Sequence, residues 1–107
     1  MRKRIIKKKK PVRIRLKVRN FKDPKYIEWR KKVYKRDNYK CQWPGCKGHG
    51  RLNAHHIRRW SEFPTLRYVV DNGISLCYIH HKSITGHEDD FAIMFIKILQ
   101  TKAQKNV

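Results

Sequence analysis

Two pairs of soft metal donors, Cys41-x4-Cys46 and Cys77-x2-His80, constrain what this chain can fold into more than any other feature. Zinc in structural sites takes four nitrogen or sulfur ligands in a tetrahedron. Each pair here sits on a turn, the first one built around Pro44-Gly45. A metal bridging the pairs pins a cysteine knuckle to the start of a later helix and fixes whatever lies between them. The plain alternative is three buried thiols and a surface histidine, because cysteine is a common core residue. Paired spacing at both ends favours the metal. The x2 spacing selects His80 as the fourth ligand and leaves His81 facing the other side of the helical turn.

A chain of this size has use for such a staple. It has 107 residues, and the first 19, MRKRIIKKKKPVRIRLKVR, contain no acidic residue. We divide it into a basic arm, residues 1–20, and one folded domain, residues 21–107. A body this small lies near the range where metals or disulfides supplement the core. The cysteine count is three, and neither a secretory signal nor an apolar run long enough for a bilayer is present. Metal-bound thiolates in a reducing cytoplasm are therefore expected rather than a disulfide framework.

Charge points to the partner. There are 28 Lys+Arg against 8 Asp+Glu, a formal net charge of +20. Nucleic acid is the polyanion that such a surface attracts, through phosphate contacts that ignore sequence and weaken with salt. In the arm Val12, Ile14, Leu16 and Val18 alternate with Arg13, Arg15, Lys17 and Arg19, a period of two that fits an edge strand or a segment ordered by nucleic acid. Lys31, Lys32, Lys35 and Arg36, together with Arg58-Arg59, are the other expected phosphate contacts. A nuclear-localisation or membrane-surface role for KRIIKKKK is the competing reading of the arm.

The pattern of elements is α+β. Asp23-Pro24 starts a helix that carries Tyr26, Ile27, Trp29, Val33 and Tyr34 on one stripe and ends near Asp37-Asn38. Leu52 to Ile57 is a short strand, Arg58 to Val70 a long connection, and Asp71-Asn72-Gly73 a turn into a second strand, Ile74 to Leu76. A helix begins just after Cys77 and stops at Gly86. A last helix starts at Glu88 and buries Phe91, Met94, Phe95, Ile98 and Leu99.

Between the donor pairs lies a second constellation. Neighbouring strand residues face opposite ways, so His55 and His56 divide the labour, one as a metal ligand and one as a base. A neutral imidazole accepts a proton from water near pH 7. His81 can approach the same ion as His55, and Asn72 can hold the base in its orientation or tautomer. His49 and His87 fit no pattern and are expected at the surface.

In these residues the chain resembles the HNH endonucleases, the ββα-metal nucleases. The matching text is Ala54-His55-His56-Ile57, then Asp71 to Cys77, then His80-His81, with the Cys41/Cys46 knuckle ahead, and it covers about residues 37–91. The resemblance implies a ββα-metal core with a zinc knuckle, a preceding helix and a C-terminal packing helix. It implies His55 and His81 as ligands of a catalytic Mg²⁺ or Mn²⁺, His56 as general base, and Asn72 as the family's asparagine, which orients the base or contacts the metal. It further implies DNA as substrate, 5′-phosphate and 3′-hydroxyl ends, and, because small free-standing members are common in phages, the packaging terminase as a partner in an infected bacterial cell. Three departures stand out: C-x4-C where C-x2-C is commoner, His80 where cysteine is usual, and Arg58-Arg59 where a proline often follows. The arginines add cations beside the scissile phosphate, where one of them can clamp an oxygen. A zinc-stapled module that binds nucleic acid without cutting it is the alternative, and a small ribosomal-type RNA-binding protein a further one. Target sequence, nicking against double-strand cleavage, and monomer against dimer are open at this level.

Overall fold

The computed structural model describes residues 19–105. The alternating segment of the arm, Val12 to Val18, lies outside the described residues. From Pro24 to Arg36 the chain forms helix α1. Asp23 caps it, its Oδ1 accepting the Lys25 N–H at 2.9 Å, and Pro24 occupies the first turn, where its missing N–H costs nothing. Tyr26, Trp29 and Val33 form the buried face. Asn38 and Tyr39 then take positive φ, 55° and 57°, and turn the chain toward the cysteine knuckle.

Strands β1 (Leu52–His56) and β2 (Gly73–Cys77) pair antiparallel, with Leu52 opposite Cys77, His55 opposite Ile74 and His56 opposite Gly73. Helix α2 (Tyr78–Ile84) follows directly, Gly86 turns the chain at φ +90°, and helix α3 (Glu88–Lys105) closes the fold. Its first turn carries Glu88, Asp89 and Asp90 against the positive end of the helix dipole. Among the described residues no helix is long and apolar enough to cross a membrane.

The hairpin is packed on both faces, which is why all five residues of β2 are buried. Ile74 and Leu76 point to one side and join Ile57, Ile84, Ala92 and Phe95, with Phe91, Met94, Ile98 and Leu99 of α3 around them. On the other side Gly73 lies under α1. A Cβ at Gly73 would sit 2.5 Å from Val33 Cγ2 and 2.6 Å from Trp29 Cζ2, so only glycine permits this approach. The 57–72 connection holds two short 3-10 turns, Pro64–Leu66 and Val70–Asn72.

A buried ion pair locks α1 to β2. Asp37, 1% exposed, accepts the Ser75 N–H at 2.9 Å and a two-pronged contact from the Arg36 guanidinium at 2.9 and 2.8 Å. The same guanidinium donates to the carbonyls of Val70 and Gly73. Arg36 thus departs from its expected place among the phosphate contacts: its donors are engaged inside the fold. Lys31, Lys32 and Lys35 are exposed on α1 as expected.

Candidate metal centre and histidine cleft

The knuckle and the start of α2 bring Cys41, Cys46, Cys77 and His80 together, with their ligand atoms all within 4.8 Å of one another. Cys46 and Cys77 sulfurs are 3.8 Å apart, and His80 Nδ1 is 3.8 Å from Cys41 Sγ and 3.3 Å from Cys77 Sγ. A tetrahedron with Zn–S of ~2.3 Å and Zn–N of ~2.0–2.1 Å has edges of ~3.8 Å between sulfurs and ~3.5 Å between sulfur and nitrogen. The three close separations lie near those edges, and the cluster is compatible with a structural zinc. Backbone N–H groups of Trp43 and Gly48 already point at Cys41 and Cys46 sulfurs, at 3.5 and 3.1 Å. Burial pushes the Cys41 thiol up to about 11. At Cys77 burial is outweighed by hydrogen bonds from the His80 and His49 backbone and the His80 ring, and the thiol drops to about 6. Trp43 stacks on the His80 ring at 4.6 Å and carries the cluster into the α3 core through Phe91 and Phe95. His49 is exposed as expected, yet its Nδ1 is 3.7 Å from Cys46 Sγ.

The other constellation lines a cavity of about 880 Å³ that contains His55, His56, His81 and Glu88. Strand alternation separates the histidine pair as expected. His55 faces α2 and α3, its ring 5.6 Å from His81 and 5.5 Å from Phe95. Its Nε2 is buried and has no hydrogen-bond partner among the described residues. Burial, with His81 beside it, lowers His55 to about 4. Burial likewise lowers His81, against the pull of Glu88. Both rings are therefore neutral at pH 7, the state in which imidazole binds a cation.

His56 faces α1 instead. Its ring stacks on Trp29 at 3.9 Å and 11°, and its Nε2–H donates to the Arg67 carbonyl at 2.9 Å. That bond puts the proton on Nε2 and leaves Nδ1 as the basic nitrogen. Burial, partly offset by the Arg67 carbonyl and reinforced by the charges of Arg19 and Arg67, lowers His56 to about 4.

Among the described residues the Asn72 side chain hydrogen-bonds to the loop rather than to either histidine. Its Oδ1 accepts the Arg58 N–H at 2.8 Å, and its Nδ2 donates to the carbonyls of Arg58 and Leu66 at 3.1 and 3.2 Å. It cross-links both ends of the 58–67 loop, whose last residue supplies the carbonyl that holds His56. These bonds connect Asn72 to His56 through the loop, an arrangement compatible with the expected orienting role. Arg59 lines the cavity, and its Nη2 bridges Asp89 at 2.7 Å and Glu62 at 3.4 Å, while its Nε has no partner among the described residues. Arg58 is half-buried.

The cavity also holds residues that the sequence placed elsewhere or did not single out, Arg19 having stood only as part of the basic arm. Arg19, Arg30 and Arg51 line it beside Arg59, whereas Lys31, Lys32 and Lys35 do not. Arg67 lies over the Trp60 ring at 3.6 Å, its Nε donating to the Trp60 carbonyl at 2.7 Å, which stiffens the loop. A carbonyl acceptor such as that of Arg67 has no side-chain signature. Glu88 could have been found only by asking which carboxylate stands nearest in sequence to His81. No family model matches this chain, and neither does any curated protein or solved structure.

Proposed function

We propose that this protein is an HNH-type, ββα-metal endonuclease that hydrolyses DNA phosphodiester bonds with a divalent ion at His55 and His81 and a structural zinc at Cys41, Cys46, Cys77 and His80. The observation that carries this reading is the opposed state of two adjacent histidines. One buries an unpartnered Nε2 beside a third histidine, and the other has its Nε2–H tied to a carbonyl.

The chain's own groups account for most of the chemistry. His56 takes the proton of the attacking water at Nδ1, and the Arg67 carbonyl steadies the imidazolium so formed through Nε2–H. Asn72 holds the loop that presents that carbonyl. Arg19, Arg30 and Arg51 draw the phosphate backbone into the cavity, and Arg59 lies beside them. His55 and His81 would hold the Mg²⁺ or Mn²⁺, which when bound would supply charge neutralisation for phosphodiester hydrolysis. The resemblance to small free-standing phage nucleases extends the proposal to phage DNA processing alongside a packaging terminase, and the basic composition suits a DNA partner.

A second reading has its own support. The Cys/His cluster has its ligand atoms already gathered, whereas among the described residues no such group includes His55 and His81. A zinc-stapled module that binds nucleic acid without cutting it needs only the former. Incubating the zinc-loaded protein with supercoiled plasmid in Mg²⁺, Mn²⁺ or EDTA separates the two. Nicking or linearisation that needs the ion and stops with EDTA is the expected result. Retarded but uncut plasmid in every condition overturns the nuclease and leaves the binding module. Elemental analysis should return one equivalent of zinc, lost on Cys46→Ser.

A further inference from the structure

We infer that Glu88 is the third protein group of the divalent-ion site, the anionic ligand that completes the His55/His81 pair and suits it to a hard cation. The inference rests on the proposed hydrolytic reading of this cavity.

The first support is where the charge stands. Among the described residues lining the cavity, Glu88 is the sole carboxylate, set against Arg19, Arg30, Arg51 and Arg59. Two neutral imidazoles offer a cation no net charge, and four guanidiniums repel it. Imidazole pairs also favour softer metals, while Mg²⁺ prefers oxygen. A lone carboxylate lining the same cavity answers both problems. The second support is an orphaned ligand. His55 is 5% exposed, and its Nε2 has no partner among the described residues. A buried nitrogen left unpaired costs stability unless something binds there.

Placement favours this carboxylate in particular. Glu88 is the first residue of α3, and its Oε1 accepts the Gly86 N–H at 3.1 Å, which orients the side chain. Even with the Glu88 backbone N–H beside it, roughly half of a carboxylate's acceptor capacity stays unused. Burial alone would raise its pKa, but hydrogen bonds from the Glu88 and Gly86 backbone and the nearness of His55 and Arg59 outweigh it and keep the group ionised. Its neighbours Asp89 and Asp90 are exposed; Asp89 is engaged by Arg59, and Asp90 lies 3.7 Å from His87. Neither lines the cavity.

A purely structural role would be capping, and glutamine separates the two because it keeps the acceptor for Gly86 and loses only the charge. The test measures Mn²⁺ binding by electron paramagnetic resonance on the zinc-loaded wild type, Glu88→Gln, Glu88→Asp and His55→Ala, with zinc content and thermal melting as controls for fold. Plasmid cleavage runs in parallel. We expect Glu88→Gln to bind Mn²⁺ about 10–100-fold more weakly, with unchanged zinc and melting, and Glu88→Asp to recover part of the loss. In cleavage, Glu88→Gln should lose Mg²⁺-supported activity more than Mn²⁺-supported activity. Wild-type affinity in Glu88→Gln, alongside loss in His55→Ala, overturns the role of Glu88 and leaves the nuclease standing. Mn²⁺ binding that depends on Glu88 in a protein that never cuts DNA upholds the ligand and overturns the nuclease. No Mn²⁺ binding by the wild type overturns both.

Discussion

At the scale of single residues, the site depends on fixing two imidazoles in different roles one position apart. Strand geometry supplies the opposed directions, and the surroundings supply the rest: a carbonyl for His56 Nε2–H, and a second histidine and a carboxylate beside His55. Asn72 contributes at one remove. Its three hydrogen bonds close the 58–67 loop, so Asn72→Ala strands buried loop groups and lets the Arg67 carbonyl drift. We expect ~1–3 kcal/mol lost from stability to urea. Cleavage should fall ~10–100-fold through kcat, with Mn²⁺ affinity unchanged because the Asn72 side chain hydrogen-bonds to the loop. A matching fall in Mn²⁺ affinity would instead place Asn72 at the ion. The four Cys/His donors were legible as paired spacings, and the structure gathers them; His55, His56 and His81 were legible as a histidine constellation and line one cavity. Arg67 and Glu88 were not, because one acts through its backbone and the other lies on a separate helix, where its charge reads first as complement to the helix dipole.

At the scale of elements, the hairpin is held by contacts of opposite kinds on its two faces. Apolar packing from α3 covers Ile74 and Leu76, while α1 comes so close that β2 must begin with glycine. Gly73→Ala should cost about 1–3 kcal/mol, since Trp29 and Val33 are core side chains that cannot swing away. The effect would reach activity too, because Trp29 also stacks on His56. Thermal melting would show the loss; an unchanged melting temperature would mean that α1 rides loosely on the sheet. The helices, strands and their order followed from capping residues and apolar spacing, within a residue or two at the ends. The Arg36–Asp37 lock did not. A basic residue at the end of a lysine-rich helix reads as surface, and only the approach of β2 makes its donors internal.

At the scale of the whole molecule, charge and burial pull against one another. Burial lowers His55 and His56 to about 4, against ~6.5 for free imidazole, so below pH 6.5 the unfolded chain takes up protons that the native protein refuses. Stability should therefore rise with pH from about 4 to about 6.5 and level off above, by of order 2–3 kcal/mol per ring. Zinc loss steepens the same limb, so the measurement compares wild type with His56→Phe, which leaves the zinc ligands in place; a flatter urea-midpoint profile in the variant is expected, and an identical one would contradict the burial of His56. On the cationic side, the cavity's arginines rather than the helix lysines should grip DNA. Arg51→Ala should lower the salt dependence of binding by about one phosphate contact, and Lys31→Ala by less; the reverse order would move the DNA path onto α1.

In the proposed mechanism His56 activates water in a metal-dependent nuclease. The most direct test is plasmid cleavage by wild type and His56→Ala in Mn²⁺, with zinc content, Mn²⁺ binding and gel retardation measured on both. General-base removal should reduce cutting by ~10²–10⁴-fold while zinc, Mn²⁺ and DNA binding stay at wild-type levels. Equal cutting by the two proteins, or no cutting by either while DNA is still bound, would contradict it.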